Sequence, residues 1–144
     1  MPFEFPDELK QSPLLERVMA RDRFAQLLGI EVEEVRVGYA RTSLTVQDRL
    51  LNGVDIVQGG AIFTLADYSL ALASNTYENV AVNIESSISF MKPTRCGTLF
   101  ANAEEISRSK SLAAYIVKVT NDRQELVALF YGRVFFRTDK PGAE

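Results

Sequence analysis

LNGVDIVQGGAIFTLADYSLALASN, residues 51–75, changes character halfway along. Its first part, with Asn52, Gly53, Gly59 and Gly60, reads as a loop. In the second part Ile62, Leu65, Ala66, Leu70 and Ala73 recur at helical spacing, and Ala61, Phe63, Tyr68 and Leu72 fill most of the remaining circumference. That distribution predicts a helix buried nearly all round. One acid, Asp67, interrupts it. Asp is a poor helix former, and an ionised carboxylate buried without partners costs several kcal/mol, as much as a small domain's margin of stability. Asp67 must therefore be either paired or used. The glycine pair at the helix entrance adds a second clue. Backbone N–H groups at a helix N-terminus lack partners and attract a negative oxygen, and glycine lets a substrate come close to them.

The rest of the composition narrows the chemistry. A chain of 144 residues with 47% hydrophobic content fits one domain, 1–144, with 1–11 as an N-terminal arm and 138–144 as a frayed tail. A lone Cys96 cannot form an internal disulfide, and neither a signal-peptide core nor an apolar membrane span is found, so a cytoplasmic location and no membrane partner are expected. The net charge of -3 argues against nucleic acid as a partner. With no His and one Cys, His-dependent triads, His-ligated metals and zinc clusters are excluded, and neither metal nor cofactor is expected. The GxSxG elbow, the GxxxxGK[ST] phosphate loop and the GxGxxG turn are also missing. The chemistry left to the chain runs on carboxylate, amide and backbone groups.

Outward from the central segment, Ser12-Pro13 is a sound helix start, and a helical region runs from there towards Leu28. A break near Ala20 is allowed by Asp22 as a second cap, and Gly29 closes the region. From Ile30 the period becomes two. Residues 30–37 and 40–46 read as a hairpin turning at Gly38. After the helix, 82–92 alternates, with Val82, Ile84, Ile88 and Phe90 on one face of a half-buried strand. Segments 98–107, 112–120 and 125–137 follow as three more strands joined by short, antiparallel-type links. A single apolar helix among hairpin-linked strands indicates an α+β fold with the sheet curled around that helix.

The pattern N-G-x(4)-Q-G-G-x(4)-L-A-D from Asn52 to Asp67 resembles the hotdog-fold acyl-CoA thioesterases of the phenylacetate-degradation type, which show N-x(5)-H-G-G followed by a helical L-A/V-D. The likeness extends over roughly residues 24–137. Glycines alone are common; an acid seven residues after the second one, on a buried helix, makes the pattern distinctive. The resemblance implies a five- to six-stranded antiparallel sheet around one long helix, with homodimers that often pair again into tetramers. It also implies hydrolysis of an acyl-CoA. Asp67 corresponds to the carboxylate that activates water or attacks the thioester, Gly59 to the N–H that polarises the carbonyl, and Asn52 to the loop asparagine orienting thioester or water. Gln58 stands where the family usually has His, and Gln cannot shuttle protons near neutral pH. Gly60 and Asn83 are expected to bind substrate, Asn83 falling where related enzymes often carry a small polar residue near the nucleophilic water, while Arg108 and Lys110, in a strand-linking turn, match the region near the nucleotide end of CoA.

Geometry adds one expectation of its own. Asp67 lies eight residues beyond Gly59, about 12 Å along a helix. An oxyanion donor and a base must both lie about 3 Å from neighbouring atoms of one reacting group. Two helices antiparallel across a two-fold axis satisfy both demands, so each site is expected to join Gly59 of one chain to Asp67 of the other. Two other readings remain at this point: a non-catalytic acyl-CoA or fatty-acyl binding protein of the same fold, which Gln58 favours and Asp67 opposes, and a hotdog dehydratase or hydratase, which the missing His disfavours.

Overall fold

The computed structural model describes residues 4–10 and 12–138. Helices α1 (Pro13–Arg21) and α2 (Arg23–Leu28) come first, then β1 (Glu31–Arg36) and β2 (Tyr39–Thr45). The long helix α3 (Gly59–Ser74) follows, and β3 (Ala81–Phe90), β4 (Thr98–Arg108), β5 (Leu112–Thr120) and β6 (Leu126–Phe136) complete the chain. The six strands form one antiparallel sheet in the order β1-β2-β4-β5-β6-β3, at the upper end of the expected five to six.

The local signals act as read. Ser12 Oγ accepts the Leu15 N–H at 3.2 Å, and Asp22 Oδ1 accepts the Ala25 N–H at 3.0 Å, so the break between α1 and α2 falls on the second cap. The β1–β2 hairpin turns at Gly38, whose φ of 72° lies in the left-handed region open to glycine. The expected arm is partly built: Asp7–Leu9 forms a 3-10 turn, and Leu9 is buried in the core. Scattered apolar side chains among prolines and charges give no helical or strand period, so this anchor, which Phe5 shares, was not readable from sequence. Of the expected tail only Thr138 lies among the described residues.

The sheet wraps α3. Leu65, Ala66, Leu70, Leu72 and Ala73 are fully buried against Leu44, Leu99, Val117, Val119 and Phe130. Each buried Leu or Val contributes about 1.5–3 kcal/mol relative to exposure. Contact with β6 is close: a Cβ on Gly132 would sit 2.7 Å from Leu70 Cδ2. The buried Ser69 hydroxyl is satisfied by Thr42 Oγ1 at 2.6 Å and the Ala101 carbonyl at 3.0 Å. At the helix C-terminus Asn75 Nδ2 donates to the Ala71 carbonyl at 2.8 Å, and Asn75 Oδ1 accepts the Ala81 N–H at 2.9 Å, tying α3 to the start of β3.

Two expectations need correction. Helix α3 is not covered all round: Gly60, Phe63, Thr64, Asp67 and Ala71 form a stripe that stays partly open, while the faces beside it are buried. Spacing of three and four residues puts these positions on one side of the helix. Strand β3 also lacks its expected half-buried face. Its alternation is broken by a register shift between Asn83 and Glu85, and Val82, Ile84 and Phe90 are 39%, 53% and 54% exposed. β3 ends the sheet with an unpaired edge, so nothing in the single chain covers those side chains. Among the described residues no helix is long and apolar enough to cross a membrane.

Candidate active site

The first half-site is the loop leading into α3. Asn52 shapes it from within. Its Oδ1 accepts the Val54 N–H at 3.0 Å and the Ile56 N–H at 3.3 Å, its N–H donates to the Ile56 carbonyl at 2.7 Å, and its carbonyl accepts from Asp55 at 3.0 Å. Asp55, at φ 61°, completes this tight turn. With the oxygen so engaged, the Asn52 amide nitrogen faces away and donates to no described residue. Gln58 is the N-cap of α3. Its Oε1 accepts the Gly60 N–H, and its carbonyl accepts from Ala61 at 2.9 Å. Gly60 is thus committed to the cap, and a Cβ there would lie 2.8 Å from Gln58 Oε1. The Gly59 N–H, first of the helix, has no acceptor among the described residues.

Gly59 and Asn52 share a cleft of about 450 Å³ with Ile62 and the segment from Phe90 to Thr94. The Phe90 ring closes one side, its Cζ 3.0 Å from where a Gly59 Cβ would stand. The Thr94 carbonyl accepts the Val57 N–H at 2.8 Å, and Thr94 Oγ1 is the one buried side-chain polar atom without a partner among the described residues. Sequence reading singled out neither Phe90 nor Thr94 as part of this cleft. Their proximity comes from β3 crossing the helix entrance, which the spacing of residues does not show.

The second half-site is the middle of α3. Asp67 sits on the open stripe, half-buried, and its Oδ1 accepts from Asn83 Nδ2 at 2.9 Å. Asn83 Nδ2 also reaches Ser86 Oγ, and Asn83 Oδ1 accepts the Glu85 N–H at 3.2 Å, so the β3 irregularity fixes the amide that steadies the acid. Burial pushes the Asp67 carboxyl above its ordinary range; the Asn83 bond opposes this, and the negative charge of Asp22 adds to it. Thr64 bonds the Gly60 carbonyl at 2.8 Å instead of Asp67.

The single chain does not bring the halves together: Asp67 does not line the Gly59 cleft, and about 12 Å of helix separates them. Arg108 and Lys110 lie past the other end of α3, around a cleft of about 350 Å³ with Tyr77, Glu78, Asn79 and Phe136. The Arg108 guanidinium lies 4.3 Å over the Tyr77 ring, with its Nε 3.5 Å from Glu105 Oε1. No group of His, Cys, Asp or Glu among the described residues is arranged to hold a metal ion.

Comparison with known proteins places this geometry in a family. The Thioesterase superfamily profile matches residues 55–128, which run from the loop before α3 through β3, β4 and β5 into the start of β6. The acyl-coenzyme A thioesterase PaaI of Escherichia coli is 35% identical over 113 residues, covering 78% of this chain and 81% of that protein. Its structure, from the phenylacetic acid degradation operon, superposes with a TM-score of 0.88 at 30% identity, over 95% of this chain and 99% of the other. The TT0310 protein of Thermus thermophilus superposes with a TM-score of 0.76 at 36% identity, over 80% and 97% of the two chains.

Proposed function

The chain belongs to the thioesterase superfamily, with the hotdog fold and a thioester-hydrolysing site, and we propose that it is an acyl-CoA thioesterase whose two active sites are each shared between protomers of a dimer. The observation that carries this reading is the open stripe of α3. It leaves an unpartnered Gly59 N–H at one end and the Asp67 carboxylate in the middle, too far apart to act on one carbonyl within a chain. An antiparallel pair of such stripes sets each Gly59 against the partner's Asp67. The small residues Gly60, Thr64 and Ala71 let the two helices approach, and the uncovered apolar residues of β3 gain a partner. Dimers of dimers fit the same resemblance.

In this arrangement the thioester oxygen points at the Gly59 N–H, and the Asn52 amide nitrogen stands beside it to orient the reacting group. Asp67 takes a proton from water as the water oxygen bonds to the carbonyl carbon. The tetrahedral oxyanion collapses, the C–S bond breaks, and Asp67 returns the proton to the leaving sulfur. Products are the acid and the free thiol. A carboxyl raised by burial is a better base near neutral pH than an exposed one. Asn83 holds it in place. Gln58 contributes shape rather than proton transfer, by capping the helix that presents Gly59. Arg108 and Lys110 we assign to the phosphates of coenzyme A. No step calls for a metal or a cofactor.

Thiol release from a panel of acyl-CoAs by wild type and Asp67→Asn tests the reading. Turnover by wild type and its loss in the variant are expected. Tight acyl-CoA binding without turnover by wild type would refute it in favour of a non-catalytic acyl-CoA binding protein.

A further inference from the structure

The glycine at position 53 answers to no steric need. A Cβ there would meet nothing within 4 Å, and its φ lies outside the left-handed region that Gly29, Gly38 and Gly97 occupy. What the missing Cβ does is leave the Gly53 nitrogen uncovered. The residue is exposed, and its N–H has no acceptor among the described residues, although the turn around it is closed by hydrogen bonds from Asn52 and Asp55.

Asn52 presents a matching group. Its Oδ1 is held on the Val54 N–H at 3.0 Å and on the Ile56 N–H at 3.3 Å. Val54 N and Gly53 N are neighbours along the chain, so an oxygen held on the first keeps its own carbon, Cγ, beside the second. Two backbone N–H groups on one carbonyl oxygen are the arrangement that stabilises a tetrahedral oxyanion. Here the carbonyl they polarise is the chain's own side-chain amide. The uncommitted Gly53 nitrogen closes a five-membered ring with it, so proximity is built in. The group that has to leave, Nδ2, donates to no described residue. Residues 52 and 53 are also the one Asn-Gly pair in the sequence.

We propose that Asn52 is a self-modification site: the turn that shapes the donor half-site also drives conversion of its own asparagine to aspartate and isoaspartate, and so switches that half-site off as the protein ages. The Gly53 nitrogen bonds to Asn52 Cγ while the Cγ–Nδ2 bond breaks, and Nδ2 departs as ammonia with the Gly53 proton. Water then opens the succinimide at either carbonyl. One opening gives aspartate; the other gives isoaspartate, in which the main chain runs through Cγ. Nothing is oxidised or reduced. The effect on turnover rests on the thioesterase reading above. An acid at position 52 replaces the amide donor with an oxygen and sets a negative charge where the thioester oxygen itself turns negative. Isoaspartate in addition inserts a methylene into the backbone of the loop that leads to Gly59.

The test ages the whole protein at mildly alkaline pH, folded and, in parallel, denatured in guanidinium chloride. Peptide mapping by mass spectrometry locates the mass gain of amide hydrolysis, and an isoaspartyl methyltransferase counts isoaspartate. In the folded chain conversion should appear at Asn52 ahead of every other asparagine, at least as fast as in the denatured chain. Gly53→Ala, whose new Cβ has room, should lag behind wild type. Thiol release should decline in step with the converted fraction of wild type and persist in Gly53→Ala, while Asn52→Asp should show the loss from the outset. Slower conversion in the folded than in the denatured chain overturns the proposal, because the turn would then protect the amide. Conversion of Gly53→Ala at the wild-type rate overturns it too, as does wild-type turnover by Asn52→Asp. The mass readings need no turnover. A chain that hydrolysed no thioester would sink the catalytic reading and still decide whether Asn52 modifies itself.

Discussion

The shared-site geometry is tested by mixing two dead enzymes. Asp67→Ala removes the base and leaves the Gly59 turn intact. Gly59→Val does the reverse: its first carbon would meet Phe90 Cζ at 3.0 Å, and its methyls would fill the mouth of the cleft where the carbonyl has to dock. The Phe90 ring has to give by only a few tenths of an ångström, and circular dichroism and the oligomeric state of the variant are checked before mixing. Each homodimer has two broken sites and should retain less than about 1% of wild-type kcat, since blocking an oxyanion donor costs on the order of 10²–10³. In a heterodimer the damage sorts unequally. One site combines both lesions, and the other combines an intact Gly59 with an intact Asp67. Random pairing at equal concentrations makes half the dimers mixed, each with one good site of two, so activity should return to about a quarter of wild type. Differently tagged variants, co-expressed or refolded together and purified through both tags, should give about half of wild-type activity in a thiol-release assay. If the doubly tagged dimer stays as inactive as its parents, each chain supplies both groups and the antiparallel arrangement is wrong.

The acid limb of the pH profile should belong to Asp67. Activity falls as pH drops through its raised pKa, because the base must be ionised to accept a proton. Asn83→Ala removes the bond that lowers this pKa and should move the limb to higher pH; Asp22→Asn, which keeps a good cap but removes a pKa-raising charge, should move it lower. Asp67→Asn should raise thermal stability at neutral pH while abolishing turnover, as followed by circular dichroism. A carboxyl whose pKa is raised on folding destabilises the native state wherever it is ionised, and the amide removes that cost while still accepting the Asn83 bond. Gly132→Ala should cost about 1–3 kcal/mol in urea denaturation, because its Cβ would press on Leu70 and Phe130; no loss would mean that β6 and α3 approach less closely.

Most of the fold was legible because its signals are local. The caps Ser12 and Asp22, the turn at Gly38 and the alternation of β2, β4, β5 and β6 each fix structure within a few residues. What sequence misjudged depends on distant neighbours. Val82, Ile84 and Phe90 look like one buried face, yet the register shift at Ile84 and the free edge leave them exposed in the single chain. The stripe on α3 was hidden for a related reason. Alanine, glycine and threonine count as core-compatible residues, so composition cannot say that a side of the helix awaits something outside its own sheet. At the candidate site, Asp67 and Gly59 stood out because an acid and a glycine pair are anomalous in a buried helix. The roles of Gln58 as a cap and Asn83 as the acid's hydrogen-bond donor arise only in the folded chain, since both are ordinary amides by type.

The Gln58 cap has a further consequence. An imidazole at that corner would gain and lose a proton across the physiological range, and the turn it braces would carry a second charge state. A carboxamide has no such equilibrium. Its grip on the Gly60 N–H is the same in mildly acidic and mildly alkaline water, so the donor end of the proposed catalytic pair carries no titrating cap while the acceptor end titrates. No histidine elsewhere in the chain adds such a switch. In the proposed mechanism the proton is moved by one carboxyl group, and the surroundings of that group set how catalysis responds to acidity.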